Sequence, residues 1–219
     1  MKYDSQIHHR RSIRLKGYDY SQAGAYFITI CCDNKNQRFG RIIINENNGE
    51  SQMILNDFGK IAFNEWLKLP ERFLNASLDV FQIMPNHMHG IIVLHDVGAT
   101  LAVAQNNTDT NIVGATLAVA QENESTNNLR ERVGASPTPT NITIGDIVGA
   151  YKSLVTTGCI KSFKSSIVNG EISENEAMGK LWQRNYYEHI IRNEPSYQKI
   201  ADYIINNPQN WKDDKFFTP

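Results

Sequence analysis

The segment VGATLAVAQ occurs twice without change, at 97–105 and 113–121, and decays into VGAS at 133–136 and VGA at 148–150. Repeats of ~20 residues build solenoids only when each unit buries a face against its neighbours. The stretches between these copies, NNTDTN, ENESTNN and SPTPTN, offer almost nothing apolar to bury. The repeats therefore read as a low-complexity insertion over 96–141, expected to be mobile. The packed structure must then be assembled from about 10–95 and 142–210, and 219 residues leave room for a single domain across 1–219. A hydrophobic content of 41%, below the ~45–50% of ordinary globular chains, agrees with part of the chain standing outside a core.

No apolar run approaches the ~20 residues that span a bilayer, and the first residues, MKYDSQIHHRR, hold charge without an apolar stretch. Membrane and secreted classes fall away. Cys31 and Cys32 are adjacent and Cys159 is distant, which gives neither a disulfide framework nor a paired metal motif, so a reducing cytoplasm is expected. The net charge of −1 conceals an asymmetry: residues 1–20 carry five Lys or Arg against two Asp, whereas 96–150 carry two against six acids. The basic end suits either a solvated tail or a local contact to phosphates.

Residues 25–32 (AYFITICC) and 39–45 (FGRIIIN) are aromatic and β-branched around a polar connection, which predicts a hairpin. Apolar residues at Leu55, Phe58, Ile61, Ala62, Trp66 and Leu69 predict a helix, capped by Asn56 or Asp57 and ended by Pro70, with Trp66 and Trp182 in the core. Two strands are expected over 78–84 and 89–94, joined tightly at Pro85-Asn86. Order returns as a helix within 142–163, weakened by two interior glycines, then a strand over 181–191 and a final helix over 195–207 stopped by Pro208.

His87 and His89 flank Met88 at a strand start, and the period of two puts both imidazoles on one face, where they can hold one divalent ion. His95 shares the parity but lies ~20 Å away along an extended strand. On the last helix Lys199, Tyr203 and Asn207 stand four residues apart and share a face. The plain meaning of such a stripe is a solvated surface; the functional one makes Tyr203 a nucleophile and Asn207 an oxygen donor to the histidines' ion. A phenol of pKa ~10 is a poor nucleophile, so this chemistry calls for an ion on the scissile phosphate and a nearby cation such as Lys199.

Taken together, RRSIRLKGYDYSQAGAYFITICC at 10–32, MPNHMHGIIVL at 84–94, LWQRNYYEHIIRN at 181–193 and DYIINNP at 202–208 resemble the REP-associated tyrosine transposases, relatives of the single-tyrosine HUH transposases that move as single-stranded DNA. The resemblance implies a ferredoxin-like (RRM-like) α+β domain, an antiparallel sheet with helices on one side. It implies His87, His89 and Asn207 as ligands of Mg2+ or Mn2+ and Tyr203 as the catalytic nucleophile, cutting single-stranded DNA at palindromic hairpins through a 5'-phosphotyrosine bond. Arg10, Arg11, Arg14 and Lys16 are expected at phosphates and Tyr18 and Tyr20 under unpaired bases, with Lys199, Glu188 and His189 as supports of the site. The protein would work on the nucleoid, as a monomer or a homodimer. The insertion departs from the family, which has a shorter connection there.

Two other classes compete. One is a nucleic-acid-binding protein that has lost the transposase chemistry. The other is a hydrolase in which the histidine pair activates water, for which the sequence shows no further carboxylate or histidine near the pair, since His8, His9 and His189 lie in other segments.

Overall fold

The computed structural model describes residues 15, 17–96 and 142–218. Arg10, Arg11, Arg14, Lys16 and the repeat copies between 97 and 141 lie outside the described residues. The last partial copy, Val148 to Ala150, is part of a helix, with Val148 buried in the core.

Among the described residues, six strands and four α-helices follow in the order β1 (Gly24–Cys31), β2 (Gly40–Ile44), β3 (Ser51–Leu55), α1 (Asp57–Leu67), α2 (Leu69–Arg72), β4 (Ala76–Ile83), β5 (His87–Leu94), α3 (Ile144–Val168), β6 (Tyr187–Ile191) and α4 (Glu194–Asn206). The main sheet has the order β4-β5-β1-β6 with every neighbour antiparallel. With β2 and β3 set aside as an inserted pair, the chain runs β-α-β-β-α-β, and this is the ferredoxin-like arrangement.

The expected hairpin of 25–32 with 39–45 does not form. β1 is a central strand between β5 and β6, and β2 pairs instead with β3, whose Ser51–Leu55 was not expected to be a strand. Both partners of β1 are non-local, and a polar connection of the right length says nothing about them. The strand predicted over 181–191 is ordered as β6 only from Tyr187; Trp182 makes a single bridge to Cys32. Pro70 does not simply end a helix, because α1 stops at Leu67 and Pro70 stands in the first turn of α2, where its missing N–H costs nothing.

Even-numbered residues of β1 and β5 (Tyr26, Ile28, Ile30, Met88, Ile92, Leu94) face a core shared with Trp66 of α1 and Ile147, Tyr151 and Val155 of α3. Two glycines permit this layer. A Cβ at Gly90 would stand 2.5 Å from the Trp66 indole, and one at Gly158 would stand 2.7 Å from Ile61, so strand and helices approach where no side chain intervenes. Gly158 is thus one of the two interior glycines that lowered the helix reading, kept for helix contact. α3 begins with a capping box, Thr143 and Asp146 bonding each other's backbone N–H.

Candidate functional site

The odd-numbered face of the same strands carries different residues. Cys31 stands opposite His87 and Thr29 opposite His89 in the β1–β5 register, so all four project to one side. Both imidazoles are fully buried. α4 packs on this face through Ala201 and Ile204. Its start is fixed by Asn193, which accepts from the Ser196 N–H at 2.9 Å, and its flank by a hydrogen bond from the Tyr197 hydroxyl to Asp79. Asp79 sits where β4 slips its register between Leu78 and Phe81.

This places the Tyr203 hydroxyl 3.1 Å from His89 Nε2, and His89 Nε2 is 3.0 Å from His87 Nε2. The outer ring nitrogens are held from behind. His89 Nδ1 meets Thr29 Oγ1 at 2.8 Å, and His87 Nδ1 meets Asn86 Oδ1 at 2.8 Å. The amide NH2 of Asn86 donates to the carbonyls of Phe216 (2.8 Å) and Lys35 (3.2 Å), which turns its oxygen toward the ring. His87 then carries its proton on Nδ1 and presents a bare Nε2 toward its neighbour.

Asp214, on the segment after α4, completes the group. Its Oδ2 accepts from the Tyr203 hydroxyl and from the Asn207 amide, each at 2.8 Å. One ligand atom from each of His87, His89 and Asp214 lies within 4.8 Å of the others. Asn207 is buried, and its Oδ1 has no hydrogen-bond partner. A buried amide oxygen without a partner is costly, ~1–3 kcal/mol, and is expected where a cation supplies the missing partner. Two nitrogens at right angles about one ion at ~2.1 Å would be ~3.0 Å apart, the separation seen for the two Nε2 atoms. The residues therefore fit a divalent cation.

Electrostatics agree. Burial pulls His87 down to about 4, with Asp214 opposing and Lys215 and Lys35 assisting. Burial, then the neighbouring His87, hold His89 well below its ordinary value. Both rings are thus neutral, the form that binds metal. Burial raises the Tyr203 phenol, and its hydrogen bond to Asp214 and that carboxylate's charge raise it further. For Asp214, burial acts upward, yet hydrogen bonds from Asn207, the Phe216 N–H and Tyr203 outweigh it and leave the acid below its usual range.

Of the residues singled out in the sequence, the fold gathers His87, His89, Tyr203 and Asn207. It does not gather the others. Lys199 is exposed on α4. Glu188 pairs with Ile28 and so projects to the core face, whereas His189 pairs with Phe27 and lies exposed on the site face at the sheet edge. Tyr18 and Tyr20 are half-buried against the core, their rings 5.0 Å apart, and the Tyr18 hydroxyl meets that of Tyr26 at 3.3 Å. Asp214, Asn86, Thr29, Lys35 and Lys215 were missed. Asn86 stood in the MPNHMH motif and was legible as its neighbour. Asp214 also supplies the carboxylate that the sequence could not place beside the histidines.

No family model matches the chain. A protein of Haemophilus influenzae (strain ATCC 51907 / DSM 11121 / KW20 / Rd), described as an uncharacterized protein, is 40% identical over 219 residues, covering 99% of this chain and 97% of that protein. A solved structure described as a REP-associated tyrosine transposase bound to a REP hairpin is similar over 90% of this chain and 73% of its own, at 16% identity and a TM-score of 0.47. A likeness of that size carries no residue role across.

Proposed function

The chain belongs to one family with the Haemophilus influenzae protein, and we propose that it is a metal-dependent single-stranded DNA endonuclease and strand transferase of the REP-associated tyrosine transposase kind, acting at palindromic hairpins. One observation carries the reading: a tyrosine hydroxyl stands 3.1 Å from the nearer of two neutral, buried imidazoles, and a partnerless Asn207 oxygen lies one helical turn further along the same chain. The four ordered motifs read in the sequence support it.

His87, His89 and Asn207 would hold the ion, with Asp214 within reach of the same position. Bound there, Mg2+ or Mn2+ supplies polarisation of the scissile phosphate and offsets the charge that gathers on it. Tyr203 Oη attacks phosphorus, the bond to the 3'-oxygen breaks, and a 5'-phosphotyrosine with a free 3'-hydroxyl results. Asp214 aims the phenol through the hydrogen bond it accepts. Burial keeps the imidazoles neutral, and Thr29 and Asn86 hold their outer nitrogens in place. Because the phosphodiester energy is kept in the tyrosyl ester, the 3'-hydroxyl of another strand can reverse the step.

Asp214 also favours a second reading, since a His-His-Asp set can activate water for hydrolysis. A covalent-adduct assay separates the two. Labelled single-stranded DNA from palindromes flanking the gene, mixed with protein and Mg2+ or Mn2+, is expected to give a band that survives denaturation and vanishes in Tyr203→Phe. Cutting without an adduct in both proteins would establish the hydrolase; hairpin binding with neither would leave a binding protein.

A further inference from the structure

Between α3 and the segment leading to β6 lies a groove of about 520 Å³. Ile160, Met178, Leu181 and Trp182 give it an apolar floor, and Lys152, Lys180 and Arg184 ring it; no carboxylate lines it. The Lys152 ammonium is fixed by donating to the carbonyls of Gln183 at 2.7 Å and Arg184 at 3.1 Å. Lys180 pairs with Asp33 at 2.9 Å but keeps 60% of its side chain in solvent, and Arg184 is exposed. Burial lowers the Lys152 ammonium, and the charge of Lys180 lowers it further.

The groove is tied to the end of the sheet that carries the histidines. The Asp33 N–H donates to the Leu181 carbonyl and the Gln183 N–H to that of Cys31, and Cys31 stands opposite His87. From the groove, β6 starts at Tyr187, which is 49% exposed and pairs with Thr29, so its ring lies on the site face. Lys215 Nζ lies 5.8 Å from the centre of that ring, and its charge reaches both histidines.

Apolar floor, cationic rim and a solvent-facing ring leading to a tyrosine hydroxyl match one kind of ligand: a nucleotide chain with unpaired bases, which can lay a base on the floor while its phosphates meet the rim. A duplex keeps its bases stacked and cannot enter in this way. We infer that the groove of Lys152, Lys180 and Arg184 is a binding subsite for single-stranded DNA, and that the strand leaves it over Tyr187 and Lys215 to reach Tyr203. This rests on the proposed function for the identity of the strand.

The test is fluorescence anisotropy of the full chain with a dye-labelled oligodeoxythymidylate across a salt series. The double variant Lys180→Gln/Arg184→Gln is compared with Lys60→Gln/Lys68→Gln, on α1 and at its C-cap, which removes the same charge elsewhere. Each lost phosphate contact lowers the single-strand salt slope by ~0.7, so the groove variant is expected to bind about tenfold more weakly with a slope reduced by roughly 1.4. The α1 variant should match the parent, and Lys180→Arg should retain binding, which separates lost contacts from lost folding. Equal binding by the two double variants would overturn the subsite, as would a loss seen only with duplex of the same length. In that event a Tyr203-dependent adduct would leave the proposed function standing, whereas a parent that neither binds the strand nor forms an adduct would sink both.

Discussion

The two faces of β1 and β5 are made from alternate residues of the same strands, yet they hold together by different means. The face of Tyr26, Ile28, Ile30, Met88 and Ile92 meets α1 and α3 in apolar contact. The face of Thr29, Cys31, His87 and His89 meets α4 and the segment beyond it through a hydrogen-bonded network added to the apolar contacts of Ala201, Ile204 and Phe216. Apolar packing tolerates many partners of similar volume, while a directional network is satisfied by one arrangement. The fold is therefore set by one face, and the chemistry is placed by the other.

The largest effect expected in breaking this contrast is on the packed side. Trp66 is fully buried and fills the space left by Gly90, so Trp66→Ala should cost about 3–5 kcal/mol of stability in urea unfolding. Its metal affinity, measured on the fraction still folded, should stay near that of the parent. A comparable loss of affinity would show that the core face sets the site geometry as well.

Asn86→Ala acts on the other side. It removes the acceptor of His87 Nδ1 and the donors to Phe216 and Lys35, leaving the buried carbonyl of Phe216 without that partner. A cost of about 1–2 kcal/mol is expected, below that of Trp66→Ala, together with a 10- to 100-fold loss of Mn2+ affinity by calorimetry. Unchanged affinity would mean that His87 needs no support from behind.

The same contrast explains what the sequence disclosed. Helix α1, the long α3 and α4 were legible because a period of three to four residues marks a helix that buries one side, and the buried Trp66 and Trp182 were legible as core. The histidine pair followed from strand alternation, and Tyr203 with Asn207 from helical spacing. Their meeting across 114 residues followed from neither period and was implied only by the family resemblance. The carboxylate of Asp214 escaped notice because its segment has no period to read. Its position depends on contacts made just beyond it, such as the Asn86 amide on the Phe216 carbonyl and the Gln37 amide on that of Thr218. The pairing of β2 with β3 was missed because Ser51–Leu55 was not read as a strand, and because local pattern does not name a strand's partner.

The smallest effect sharpens the directional side alone. Asp214→Asn keeps the shape of the side chain and an acceptor for the Tyr203 hydroxyl, but its NH2 then faces the Phe216 N–H and that hydrogen bond is lost, so stability should fall by about 1 kcal/mol. The negative charge beside the phenol is gone, however. Burial is the main cause that raises Tyr203, and Asp214 follows through its hydrogen bond and its charge. The substitution should therefore lower the phenol's titration midpoint while leaving it above the ordinary ~10. The resonance of ζ-13C tyrosine, assigned by its disappearance in Tyr203→Phe, reports this in metal-free protein across an alkaline pH series. A midpoint that does not move would assign the whole shift to burial and would reduce Asp214 to a ligand candidate with no hold on the nucleophile. A midpoint that falls shows that the carboxylate helps to keep the phenol protonated.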